Sequence, residues 1–286
     1  MASPKVSTVR VNDAEVFYRS AGNPSSPVLL LLHGFPSSSH QFRNLIPLLA
    51  DRYFVLAPDL PGFGFTIVPN DYHYTFSNFA KVVGSFLDAL SITKFAVFIF
   101  DYGAPTGLRL ALDRPEDVTA IVTQNGNAYV EGLGEFWAPF KAYWLSDSEK
   151  DRNIIRDSIL TFDATRWQYE NGSPNPQAVA PETYYLDYAL MCRPGNKDIQ
   201  LDIFKDYETN LPLYPKFQEY LRSSGVPVLA VWGKNDEIFI PAGAEAYRRD
   251  VKNVDIHLLD APHFAIESRE KLFSDLILSF LEKNRV

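Results

Sequence analysis

The chain contains a single cysteine, Cys192, among 286 residues. No intrachain disulfide can form, and a reducing, cytoplasmic setting is the expectation. Long apolar runs are also missing, since stretches such as VLLLL at 28–32 fall far short of a membrane span. The opening MASPKVSTVRV has no basic segment followed by an apolar core, so neither secretion nor insertion is expected. The histidines His33, His40, His73, His257 and His263 show no metal-ligand spacing and no cysteine neighbours, so neither a metal nor another cofactor is called for. Positive charge is the minority: 27 Lys and Arg stand against 35 Asp and Glu, for a net charge of −8. With the two signs interspersed, nucleic acid and anionic lipid surfaces are not indicated as partners. A small apolar organic substrate fits better, and a homodimer stays open.

What is present is a large apolar inventory. At 46% hydrophobic and 22% charged residues, the chain can bury one sizeable core or a core with a lid. VSTVRVNDAEVFYR (6–19) reads as two strands joined by a tight turn at Asn12 and Asp13. Then come PVLLLLHG (27–34), YFVLAPDL (53–60), KFAVFIFD (94–101) and VTAIVTQNG (118–126). Continuous rather than alternating apolar character is what strands covered on both faces require. TFSNFAKVVGSFLDAL (75–90) and APTGLRLALDRP (104–115) have helical spacing. After residue 126 about a hundred residues rich in aromatics carry no strand pattern, until VPVLAVWG (226–233), VDIHLLD (254–260) and a terminal helix at 269–284 resume it.

The expected architecture is therefore α/β: a doubly wound, mostly parallel sheet with a helical cap inserted after the sixth strand. The core takes residues 1–126 and 223–286, and the cap 127–222. Ligands of such sheets bind at the carboxyl ends of the strands. Three chemistry-bearing features fall there: His33-Gly34-Phe35-Pro36, Asp101-Tyr102-Gly103, and the pair formed by Asp236 in VWGKNDEIF and His263 in LLDAPHFAIE. Carboxylate, carboxylate, histidine resembles the nucleophile, acid, base order of the α/β-hydrolase fold. The usual elbow of that fold, G-x-S-x-G, is absent from this chain. Asp101 stands in the serine's place, where a sharp strand-to-helix turn lifts one side chain above the sheet.

Asp101 reads as a carboxylate nucleophile, Asp236 as the acid that orients a histidine, and His263 as the base. The competing reading of Asp101 is an N-cap for the following helix. Glu131 is the alternative acid. His33 reads as structural, and the backbone N–H groups of Phe35 and Tyr102 form the expected oxyanion hole.

HGFP, APDLPGFGFT, FDYGAP, VWGKND and DAPHFAIE resemble the epoxide hydrolase and haloalkane dehalogenase branch of the α/β-hydrolase superfamily, over about residues 10–126 and 222–284. HG-x-P followed by D-x-G-A-P is closest to the epoxide hydrolases. Three positions differ from the common pattern of the branch: Tyr102 where tryptophan usually follows the nucleophile, Phe35 where dehalogenases usually have Asn or Glu, and Ile99 where a glycine often precedes the aspartate by two. The resemblance implies hydrolysis of an epoxide through an alkyl-enzyme ester, which a His-activated water then cleaves. The alternatives are a haloalkane or haloacid dehalogenase and, from another class, a non-catalytic ligand-binding or non-hydrolytic biosynthetic member of the fold. It also implies cap tyrosines that donate to the epoxide oxygen, for which Tyr143 and Tyr185 are the candidates. Trp137 is expected among the aromatic residues that shape the pocket.

Overall fold

In the computed structural model, which describes residues 4–286, the Asn12-Asp13 turn joins β1 (Lys5–Val11) and β2 (Ala14–Ala21) as an antiparallel hairpin. Asn12 takes φ 51, the left-handed conformation that asparagine tolerates better than most residues. The strands β3 (Val28–Leu32), β4 (Phe54–Pro58), β5 (Phe95–Phe100), β6 (Val118–Gln124), β7 (Val228–Gly233) and β8 (Val254–Leu259) run parallel to one another. The eight-stranded order is β1-β2-β4-β3-β5-β6-β7-β8, with β2 antiparallel to β4.

The unbroken apolar strands are explained by two half-cores. Leu30, Leu32, Val97 and Ile99 point to one face of the sheet, and Leu29, Leu31, Phe98 and Phe100 to the other; all are buried. α1 (Ile46–Leu49) lies on the second face with the terminal helix. α2 (Phe76–Ala89) and α3 (Gly103–Asp113) cover the first. Helix α2 starts at Thr75, whose hydroxyl accepts the Asn78 N–H at 3.1 Å, and it buries Phe76, Phe79, Val83 and Phe86 at helical spacing.

Between β6 and β7 the chain is helical: α4 (Ala138–Ser146), α5 (Glu149–Ile159), α6 (Phe162–Glu170), α7 (Glu182–Met191), α8 (Asn196–Asp206) and α9 (Tyr214–Ser223). Helix α9 packs on α3, beside the sheet. α10 (Ala242–Ala246) follows β7, and α11 (Glu270–Lys283) closes the second face. Among the described residues, no helix is long and apolar enough to cross a membrane.

The junction of β5 and α3 is tightly packed. Asp101 sits there at φ 47. For α3 to leave the sheet at once, its first turn must run against the end of β3. A Cβ on Gly103 would lie 2.3 Å from the Leu32 carbonyl oxygen, and one on Gly107 would lie 2.6 Å from the Ile99 Cγ2. The bulk of Ile99, where related elbows often have glycine, is thus accommodated by glycine at 107 on the facing helix.

This close approach predicts a coupled pair. Gly107→Ala should cost about 1–3 kcal/mol by overpacking, although alanine is intrinsically the better helix former. In an Ile99→Ala background the same change should be neutral or stabilising. Urea denaturation of the four proteins of the cycle measures the coupling, and equal costs in both backgrounds would refute it.

Candidate active site

The carboxyl ends of β3, β5, β6, β7 and β8 bring five short loops together. After β3, His33 is buried and locked: its Nε2 accepts the Leu60 N–H at 2.9 Å and its Nδ1 donates to the Gly34 carbonyl at 3.0 Å. Burial lowers its pKa, consistent with the neutral tautomer those bonds require. The histidine fixes the strand exit that aims the Phe35 N–H at Asp101. That N–H reaches Asp101 Oδ1 at 2.6 Å. Gly34 makes room, since a Cβ there would fall 2.3 Å from the same oxygen.

The carboxylate of Asp101 therefore bonds back across the sheet to the β3 loop. Its link to the start of α3 is by main chain, the Ala104 N–H donating to the Asp101 carbonyl at 2.9 Å. A capping side chain would instead take the N–H two or three residues ahead. No side-chain cap is present on α3, so the capping reading does not describe Asp101.

On the far side stand the other two sequence candidates. His263, in the loop after β8, places Nδ1 2.7 Å from Asp236 Oδ2, while its buried Nε2 has no partner among the described residues. In the neutral imidazole, with the Nδ1 proton directed at the carboxylate, Nε2 carries the lone pair, the form a base needs. The ring rests on Phe100, centroids 4.7 Å apart. Asp236 is held by three donors: the His263 imidazole, the Ile238 N–H at 2.7 Å and the Asn125 side-chain amide at 2.7 Å.

Asn125 was not singled out from the sequence. It ends β6 at φ 45, and its Oδ1 takes the Gly233 N–H at 2.9 Å, tying the end of β6 to the end of β7. In sequence it looks like a turn residue in TQNG; only the β6-β7 pairing shows that it aims Asp236. Glu131, the alternative acid, is exposed and paired with Arg249 at 2.6 Å, away from His263.

A small cavity of about 20 Å³ lies over Asp101, under the helices of the insert. Phe35, Trp137, Phe140 and Phe204 supply most of its wall, with Asp101 and Gln168 as polar members. Trp137 is where the sequence placed it, but its N–H is committed to the Ile238 carbonyl at 2.8 Å. The Tyr102 hydroxyl is sealed in the core without a partner. Gln168, on α6, is 4% exposed.

The two cap tyrosines expected at the substrate are not there. Tyr185 is 60% exposed and lies against Phe162 on the outer side of α7. Tyr143 is buried, but its hydroxyl accepts from Arg152 at 3.0 Å with the Lys205 ammonium over its ring. Among the described residues, no group of three or more His, Cys, Asp or Glu side chains is placed to hold a metal ion.

Comparison with known proteins agrees with this fold. A family profile described as the alpha/beta hydrolase fold matches residues 27–270. An uncharacterized hydrolase of Saccharomyces cerevisiae is 49% identical over 281 residues, 96% of this chain and 97% of that one. A haloalkane dehalogenase of Mesorhizobium japonicum is 36% identical over 140 residues, 48% of this chain and 43% of its own. The solved structure of a Pseudomonas aeruginosa protein provisionally designated an epoxide hydrolase superposes with a TM-score of 0.79 at 22% identity, covering 99% of this chain and 96% of that one. At that identity the last likeness speaks for the fold alone.

Burial sets the electrostatics of the site. Burial pushes the Asp101 pKa from 3.8 up to about 6, against the pull of His263 and of the Phe35 and Tyr102 N–H groups. Burial also opposes charge on His263, but the Asp236 carboxylate and then Asp101 outweigh it and hold the imidazole pKa above its ordinary value. The two groups titrate as a pair. Because the charged imidazole favours ionised Asp101, removing it should move the carboxyl upward. Carbon-13 NMR of the Asp101 carboxyl should show a midpoint near pH 6 in the wild type and a higher one in His263→Gln. An unchanged or lower midpoint would contradict the coupling.

Proposed function

The chain belongs to the alpha/beta hydrolase fold family, with sequence similarity over part of its length to a haloalkane dehalogenase and a fold shared with a protein provisionally designated an epoxide hydrolase, and we propose that it is a hydrolase whose nucleophile is Asp101. The observation that carries this reading is the position of that carboxylate. It is buried at the cavity floor with Oδ1 already on the Phe35 N–H, opposite a histidine whose Nε2 is free. The helical segment over the strand ends serves as the cap.

The two oxygens of Asp101 take different roles. Oδ1 stays in the hole of N–H groups from Phe35 and Tyr102, and Oδ2 attacks an electrophilic sp³ carbon. For an epoxide, the new O–C ester bond forms as the ring C–O bond breaks, leaving an alkoxide that takes its proton from solvent. His263 then removes a proton from water, whose oxygen attacks the ester carbonyl carbon. The oxyanion develops on Oδ1, where its donors are already in place. On collapse the departing diol oxygen takes the proton held by His263, and Asp101 loses its proton to solvent to return as the carboxylate, so the net reaction is epoxide plus water giving diol.

The charge changes run in the right order. While Asp101 is ionised, its charge helps to hold a proton on His263. Esterification removes that charge, so the imidazole becomes a readier base at the step that needs one. An ordinary carboxylic ester is a poor substrate for such a site, because attack on it would give a reactive anhydride.

The leaving oxygen needs a partner, and Gln168 is the side-chain amide that lines the cavity. An alkyl halide is the second reading, favoured by this same amide: an N–H group can hold a departing halide, but it has no proton to give an alkoxide. Halide release from haloalkanes distinguishes the two.

His263→Gln should lower turnover about 10²–10⁴-fold and, with styrene oxide or propylene oxide, accumulate a covalent adduct on the peptide containing Asp101. Unmodified protein from epoxides that the wild type turns over would refute the ester mechanism. Gln168→Leu should still form the adduct, but about tenfold or more slowly, as expected for the loss of a hydrogen bond to a charged group. Equal rates of adduct formation would remove Gln168 from the reaction.

A further inference from the structure

The cavity over Asp101 is too small for most organic substrates, at about 20 Å³, which is roughly the space of one water molecule. It adjoins a second cavity of about 350 Å³ between α5 and α6, a volume at the low end of ordinary small-ligand pockets. The two cavities share three wall residues, Phe136, Ile159 and Gln168. The floor of the larger one is apolar: Phe136 and Trp167 lie face to face, ring centroids 5.9 Å apart and 5° from parallel, with Ala164 and Ile159 beside them. Its rim is polar, and the exposed Ser158 and Asp163 stand there.

We infer that the outer cavity binds the tail of the substrate, and that the preferred substrate is a terminal epoxide with a linear, neutral, apolar chain. The inference rests on Asp101 as the nucleophile. The inner cavity has room for the unsubstituted terminal carbon alone, so Asp101 Oδ2 attacks there. The next carbon, which bears both the leaving oxygen and the chain, sits at the shared wall beside Gln168. The chain continues past Phe136 and Ile159 into the outer cavity. The Asp163 carboxylate at the rim disfavours a tail that ends in a carboxylate. A substrate branched on both ring carbons has no place for its second substituent.

The test uses propylene oxide, hexene oxide and octene oxide with the full-length protein. In the wild type, kcat/KM should rise with chain length, by up to about fourfold for each methylene buried, which is ~0.8 kcal/mol. Ala164→Phe and Ala164→Trp fill the outer cavity at a residue that does not touch the inner one. Each should lower the octene oxide to propylene oxide ratio of kcat/KM at least tenfold. A ratio unchanged in both variants, or a wild-type rate independent of chain length, would overturn the proposal.

Should the wild type turn over no epoxide, the ester mechanism fails on its own, and tail binding is decided without chemistry. Octanol should then change the fluorescence of Trp167 in the wild type, with the change lost in Trp167→Phe and weakened in Ala164→Phe. A wild type that shows no octanol response would overturn the outer site.

Discussion

The site depends on one constraint, the abrupt turn from β5 into α3. A left-handed backbone at a non-glycine residue costs of the order of 1–2 kcal/mol, and Asp101 adopts it at φ 47. The turn is held from both sides. Glycines at 103 and 107 let α3 close on β3 and β5. The β3 loop, pinned by the two hydrogen bonds of His33, presents the Phe35 N–H to the carboxylate at 2.6 Å. Strain, glycine placement and hydrogen bonding therefore fix the same atom. Loosening any of them would let Asp101 relax toward an ordinary capping conformation.

The proposed acid and base are supported by different elements, so their alignment depends on sheet register. Asn125 at the end of β6 bonds the main chain at the end of β7 through Gly233 and the side chain of Asp236 through its amide. Asp236 in turn fixes the imidazole of His263, which hangs from the loop after β8. Three adjacent parallel strands are thus tied at their carboxyl ends. A slip of one residue between any two would part the imidazole from its carboxylate, because successive residues of a strand face opposite ways.

The fold was legible because continuous apolar runs and intervening helices leave few topologies open, and chemistry-bearing residues just after such runs converge at one sheet edge. Asp101, Asp236, His263 and Phe35 could be found in this way. The aromatic insert could not be read as far. Its segments FWAPFKAYW and ETYYLDYALM are apolar around most of the helix, so periodicity does not say which face meets the cavity. Packing against neighbouring helices turned Tyr143 toward Arg152 and Tyr185 toward solvent. Gln168, between Trp167 and Tyr169, carries no sequence mark of its position. Ile99 looked like a misfit at the elbow until the facing helix showed glycine at 107.

Burial at Asp101 has consequences of opposite sign. The move of its pKa from 3.8 to about 6 means that the ionised form is ~3 kcal/mol worse off than a solvated aspartate. Even so, most of the carboxylate remains ionised at neutral pH, because the Phe35 and Tyr102 N–H groups and His263 offset part of the desolvation. In the proposed reaction Oδ2 becomes an ester oxygen, that charge disappears, and the environment that penalised the carboxylate no longer does so. Some of the desolvation cost is therefore recovered as the O–C bond forms, while the same N–H donors wait for the charge that reappears on Oδ1 during hydrolysis. A wetter cavity would give a more comfortable carboxylate and a weaker nucleophile. The aromatic wall of Phe35, Trp137, Phe140 and Phe204 is thus part of the chemistry as well as of the packing.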